Sequence, residues 1–134
     1  MIDRRRFLGI LMGALAGLGG WRGAAAAVRG RRVVHPEPRP GITSANVLPA
    51  DQVPAKLVEL YDGVRRIPQI VDGIGCYCGC AEIEGFYSLL TCYEQSAMAT
   101  HCDICQGEGA LAVEMHGQGR TLAEIRAAID RRFG

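Results

Sequence analysis

Cys76, Cys78 and Cys80 stand at alternate positions in the segment Cys76-Tyr77-Cys78-Gly79-Cys80, and Cys92, Cys102 and Cys105 follow; none of the six cysteines precedes residue 76. In an extended strand the three leading thiols would share a face, but at about 3.3 Å per residue the outer two would lie roughly 13 Å apart. Sulfurs bound about 2.3 Å from one zinc cannot be so spread. The segment must therefore curl for its thiols to act together, and Gly75 and Gly79 are the residues that permit it. Direct pairing of neighbours such as Cys76 and Cys78 would strain disulfide geometry.

Cys102 and Cys105 stand three apart and share a face on a helix, with His101 just before them. At a helix N-terminus the free backbone N–H groups favour thiolate, which suits metal ligation and redox attack alike. Cys92 joins such a group if its segment packs against the loop, and is otherwise a small buried hydrophobe. Three chemistries compete. In the preferred one, Cys76, Cys78, Cys80, Cys92, His101, Cys102 and Cys105 supply a soft-ligand site for Cu(I) or Zn(II), which thiolates select over Mg or Ca. In the second, the thiols form up to three disulfides in one of fifteen connectivities. In the third, Cys102 and Cys105 are a redox dithiol working against a cysteine of the loop. A thioredoxin-like βαβ pattern is missing, and Cys105 is followed by Gln106 rather than the histidine of a haem-attachment motif. Glu82 and Glu84 read as solvation of the loop, so no carboxylate acid–base mechanism is supported. The expectation is a non-enzymatic binding protein.

The elements that must position these thiols read as helices. Asp51 suits an N-cap, and Val53, Leu57, Leu60 and Val64 recur at helical spacing over residues 52–66. Residues 69–84 read as the cysteine loop. A helix is expected from Phe86 to about Ala99, with Leu89, Leu90, Tyr93 and Ala97 on one side. Another starts at Cys102 or Asp103 and reaches Met115 or His116, with Ile104, Leu111 and Met115 as buried candidates. Gly107 and Gly109 weaken it by about 1 kcal/mol each relative to alanine, or allow it a close approach to the loop. Thr121-Leu122-Ala123-Glu124 is a capping box before Leu122, Ile125, Ile129 and Phe133. The sum is an all-α domain of three to four short helices around a cysteine-rich loop.

The string Ile74-Gly75-Cys76-Tyr77-Cys78-Gly79-Cys80, then Ser88-Leu89-Leu90-Thr91-Cys92-Tyr93, then His101-Cys102-Asp103-Ile104-Cys105-Gln106 resembles the bacterial PCYCGC-motif family, also called CYCXC. The likeness runs from Gln69 to Phe133, with Gly75 where the family usually has proline. The resemblance implies an exported or envelope-attached protein, elsewhere often a lipoprotein, with some relatives described as selenoproteins. It implies no assigned activity.

The N-terminal third explains how such a domain would reach that location. Arg4-Arg5-Arg6-Phe7-Leu8, an apolar glycine-broken run and Ala24 to Ala27 resemble a twin-arginine export signal over residues 1–27. The run is too short to span about 30 Å of hydrocarbon, so no stable membrane span is expected after cleavage. Cleavage after Ala27 would leave eleven basic and thirteen acidic residues, turning the net charge of +1 into −2 with histidines neutral. Nucleic-acid binding is excluded by that balance and by the lack of an aromatic-basic face. Residues 28–49, rich in Pro, Gly and Arg, read as an extended linker in which His35 has no special role. The cysteine-rich domain is then 50–134. The expected setting is the periplasm, and the expected partners are a metal ion and an envelope redox or metal-trafficking protein.

Overall fold

Local signals set the two longest of the described helices. In the computed structural model, which describes Gly30 and residues 32–134, Thr121 accepts the Glu124 amide hydrogen bond while the Glu124 carboxylate accepts from the Thr121 amide. This reciprocal cap opens a helix over Leu122–Phe133. The helix Asp103–Gly117 begins where expected, capped by the Cys102 sulfur, which accepts from the Cys105 amide at 3.4 Å. Numbered in chain order, the helices are α1 (Val58–Arg66), α2 (Pro68–Asp72), α3 (Asp103–Gly117) and α4 (Leu122–Phe133). Short 3-10 turns supply the rest of the regular structure, and no strand occurs among the described residues. The fold is all-α, and no described helix is long and apolar enough to cross a membrane. The segment expected as an export signal lies outside the described residues.

Three segments depart from the local pattern. The helix expected from residue 52 starts as separate 3-10 turns at Ala50–Gln52 and Ala55–Leu57, because Pro54 interrupts the ladder between them. Part of the stretch read as loop is helical, since Pro68 supplies the first turn of the five-residue α2. The helix expected over 86–99 is replaced by 3-10 turns at Leu89–Tyr93 and Met98–His101, split by Ala97 in the left-handed region at φ 54°. Leu89, Leu90, Cys92 and Tyr93 are all buried, and one apolar stripe of an α-helix does not bury four residues out of five.

The core joins Leu57, Tyr61 and Val64 of the first helical segment to Val71, Ile74, Leu89, Leu90, Tyr93, Ile125 and Ile129. Tyr61 and Tyr93 meet with ring centroids 4.8 Å apart. Gly109 lets α3 lie against Tyr93, because a Cβ there would overlap the Tyr93 hydroxyl. The close approach expected of Gly107 and Gly109 is therefore real, but it is made to Tyr93 and to the ring of Phe133. Ile104, expected to be buried, is 40% exposed.

The chain read as a free linker is extended but packed. Ile42, Val47 and Leu48 belong to the core. Arg39 donates from its amide and guanidinium to the fully buried Asp72, whose carboxylate also accepts from the Ser88 hydroxyl at 2.7 Å. His35 is held at both ring nitrogens: Nδ1 accepts from the Gly75 amide, so Nε2 carries the proton and donates to Asp130 at 3.0 Å. The prolines keep the strap extended, and polar anchors on it supply attachments that composition alone does not reveal.

Candidate metal centre

The Cys76–Cys80 loop is shaped by two glycines in different ways. Gly79 adopts the left-handed conformation at φ 85° and turns the chain into the 3-10 turn Cys80–Glu82. Gly75 acts through its missing side chain, since a Cβ would overlap the Val34 carbonyl of the strap. Its amide is also the donor to His35. A proline would lose that donor and meet that carbonyl, so glycine at 75 accompanies the strap's close passage.

The loop is tied to the helices on both sides. The Tyr77 amide donates to Glu108 Oε1 of α3 at 2.8 Å, and the Tyr77 hydroxyl donates to Asp130 of α4 at 2.6 Å. The Leu89 amide donates to the Ile74 carbonyl at 2.7 Å, which draws the turn bearing Cys92 against the loop entrance. The Tyr93 hydroxyl then donates to the Cys105 carbonyl at 2.7 Å, fixing the first turn of α3 to the same turn.

These attachments bring four sulfurs together. The Sγ atoms of Cys76, Cys78, Cys92 and Cys105 all lie within 4.8 Å of one another, and Cys76 and Cys105 are 3.6 Å apart. Tetrahedral zinc bonds of about 2.3 Å require sulfurs about 3.8 Å apart, so the set fits one thiolate-bound ion with small adjustments. Cys76 is 1% exposed and Cys92 and Cys105 are fully buried, while Cys78 is partly exposed. All six thiols are free of disulfides.

Of the seven residues expected at the site, Cys80, Cys102 and His101 fall outside this set of four. His101 ends a 3-10 turn with its side chain exposed. Cys102 serves as the N-cap of α3, one step before the helix, where its sulfur accepts the Cys105 amide hydrogen bond. Cys80 lies past the left-handed Gly79, with its amide donating to Cys78 Sγ at 3.4 Å. Cys92 is inside the set and fully buried, so its two readings hold together.

The electrostatics of the four separate Cys78 from the other three, whose thiols are all pushed up. The hydrogen bond shared with Cys105 pushes the Cys76 thiol far up, and burial and the neighbouring Glu108 add to the shift. Burial also opposes ionisation of Cys78, but hydrogen bonds from Cys80 and Cys76 outweigh it and hold that thiol below its usual value. Glu108 is fully buried on α3 beside the Cys76 thiol, with burial raising its carboxyl, and among the described residues its Oε2 has no partner at hydrogen-bonding geometry. Cys92 and Cys105 are pushed up like Cys76, so these three thiols rest protonated and a bound cation would have to displace their protons. Glu108 is the residue that sequence reasoning missed. Its position one turn beyond Cys105 on α3 was the available signal.

Fold and site together define a small all-α, cysteine-rich domain with a buried four-sulfur centre. The chain belongs to the family described as proteins of unknown function with a PCYCGC motif, whose sequence model matches residues 39–134. That span takes in Arg39, the anchor of the strap on Asp72. Comparisons with curated proteins and with solved structures found no match.

Proposed function

We propose that this protein is an exported, periplasmic metal-binding protein that holds Cu(I) or Zn(II) through clustered thiolates. The observation that carries the reading is the convergence of Cys76, Cys78, Cys92 and Cys105 within 4.8 Å, three of them buried and Cys78 partly exposed. Four thiolates match the usual number at a structural zinc. Copper(I) also selects soft thiolate ligands. The thiols of such a site release their protons to the solvent as the ion binds and become thiolate ligands. The Arg4-Arg5 signal and the Ala24 to Ala27 cleavage region support delivery across the cytoplasmic membrane in a folded state. A folded chain can carry its ion with it.

A second reading has one observation in its favour. The 3.6 Å between the sulfurs of Cys76 and Cys105 is short enough for a disulfide after a small movement, which suits a thiol–disulfide redox protein. Both readings are tested by producing the full chain, recovering it from the periplasmic fraction, and measuring metal by elemental analysis and thiols after denaturation. About one equivalent of copper or zinc, with the thiols free after chelation, is the expected result. Recovery in the cytoplasm only would remove the localisation. No metal and no free thiol would sink the metal reading, and a metal-free protein with a reducible Cys76–Cys105 pair would establish the redox one.

A further inference from the structure

The buried position of three of the four sulfurs raises the question of how an ion gets to them. Cys76, Cys92 and Cys105 present almost no surface, and an ion arriving with ligands of its own cannot meet them directly. The remaining three cysteines, Cys78, Cys80 and Cys102, are all partly exposed. Each of the two thiols outside the set adjoins one thiol within it. Cys80 interacts with Cys78 and donates its amide to that sulfur at 3.4 Å. Cys102 interacts with Cys105 and accepts that residue's amide hydrogen bond at 3.4 Å. The sulfurs thus form a graded series from solvent to core.

We infer that Cys80 and Cys102 are transfer ligands, taking a soft metal ion from a thiolate-bearing donor and passing it through Cys78 and Cys105 to the buried set. The inference rests on the metal-binding reading above. The step is ligand exchange: a bond from the ion to Cys80 or Cys102 sulfur forms as a bond to the donor thiolate breaks. The thiol's proton passes to the freed donor thiolate or to water, and no electron moves. A second exchange replaces the outer sulfur by an inner one, leaving the outer thiols without a share in the final complex. The donor chemistry is that of a small thiol complex or a metal carrier protein presenting cysteine.

The division of labour separates rate from affinity. Serine is a strong N-cap, so Cys102→Ser keeps the start of α3 intact, and Cys80 lies in a partly exposed turn. The test uses the full chain, stripped of metal under reducing conditions, mixed with Zn(II) or Cu(I) held by a coloured chelator at protein concentrations where the rate depends on protein. The double variant C80S/C102S is expected to load about tenfold or more slowly than wild type. Its equilibrium affinity should stay within about threefold. Cys105→Ser, by contrast, should lose affinity itself. Unchanged loading in the double variant would overturn the inference and point to another route, such as the cavity of about 180 Å³ lined by Val33, Cys76, Tyr77 and Phe133. A large loss of affinity would overturn it too, by making the outer thiols true ligands. If wild type binds neither ion, the metal-binding reading itself fails and takes this inference with it.

Discussion

Two buried polar centres stand out among the described residues, and they are kept neutral in opposite ways. At one, Asp72 is fully buried but receives the Arg39 guanidinium, the Arg39 amide and the Ser88 hydroxyl, so its charge is matched from within the chain. At the other, four thiols and the Glu108 carboxyl lie together with no basic side chain among their described partners. A buried carboxylate with a guanidinium is a finished structural unit. A buried group of thiols whose ionisation is pushed up stays protonated and neutral, and it can take up a cation only by giving up those protons. The contrast teaches that burial of charge by itself does not mark a functional site. What sets the cysteine centre apart is a group of buried thiols that the chain keeps neutral rather than pairs with a basic side chain.

The comparison can be broken most severely at the cysteine centre. If an ion completes it, chelation of the metal-loaded protein should lower stability by about 4 kcal/mol when free metal stood about a thousandfold above Kd. Cys76→Ser should already melt at the lower temperature and be indifferent to chelator. Equal melting with and without chelator in wild type would show that the centre is complete without a cation. The Asp72 centre should give the next largest effect. Arg39→Ala leaves a buried carboxylate unpaired and should cost about 3 kcal/mol in denaturant unfolding. Metal affinity measured on the folded fraction should not change, because the two centres share no partner.

Acid sharpens the same contrast. Burial pushes the Asp72 carboxyl up, but the hydrogen bonds from Arg39 and Ser88 outweigh it and hold its pKa below the ordinary value of 3.8. A carboxyl depressed in the folded state contributes stability that is fully present above its unfolded value and is lost as pH falls through the folded one. The stability difference between wild type and Asp72→Asn should therefore be constant above about pH 5 and shrink below it. A difference that grows on acidification would mean that Arg39 does not stabilise the ionised carboxylate.

Two smaller substitutions test what holds each region in place. Gly109→Ala would force α3 away from the Tyr93 hydroxyl and should cost about 2 kcal/mol, with weaker metal binding because the Cys105 turn moves with it. An unaltered affinity would show that Tyr93 does not position Cys105. Thr121→Ala removes the α4 cap and should cost about 1 kcal/mol with no change at the cysteines. A change in metal affinity there would couple the α4 terminus to the site.

Much of the frame was readable without coordinates. The capping box at Thr121 and the start near Asp103 act over three or four residues, so they specify α4 and α3 in any context that lets them form. The same reasoning failed from Phe86 to Ala99, where Leu89, Leu90, Tyr93 and Ala97 satisfy a helical stripe on paper, while Leu89, Leu90, Cys92 and Tyr93 are all buried in a tighter turn. It failed again for His35, Arg39 and Ile42, because a proline-rich composition describes how a strap runs and not what it touches.

The sequence by itself determined that the thiols would be crowded into one thirty-residue window and that a curled loop and a helix start would carry them. Which four sulfurs meet was decided by the tertiary structure alone. Cys76 and Cys105 are 29 residues apart, and their approach depends on the Leu89–Ile74 and Tyr93–Cys105 hydrogen bonds and on the space left at Gly109. Those contacts join segments distant along the chain, whereas spacing and capping speak only to neighbours. The fold therefore buried Cys92, left His101 in solvent, and made Cys102 a helix cap beside the centre.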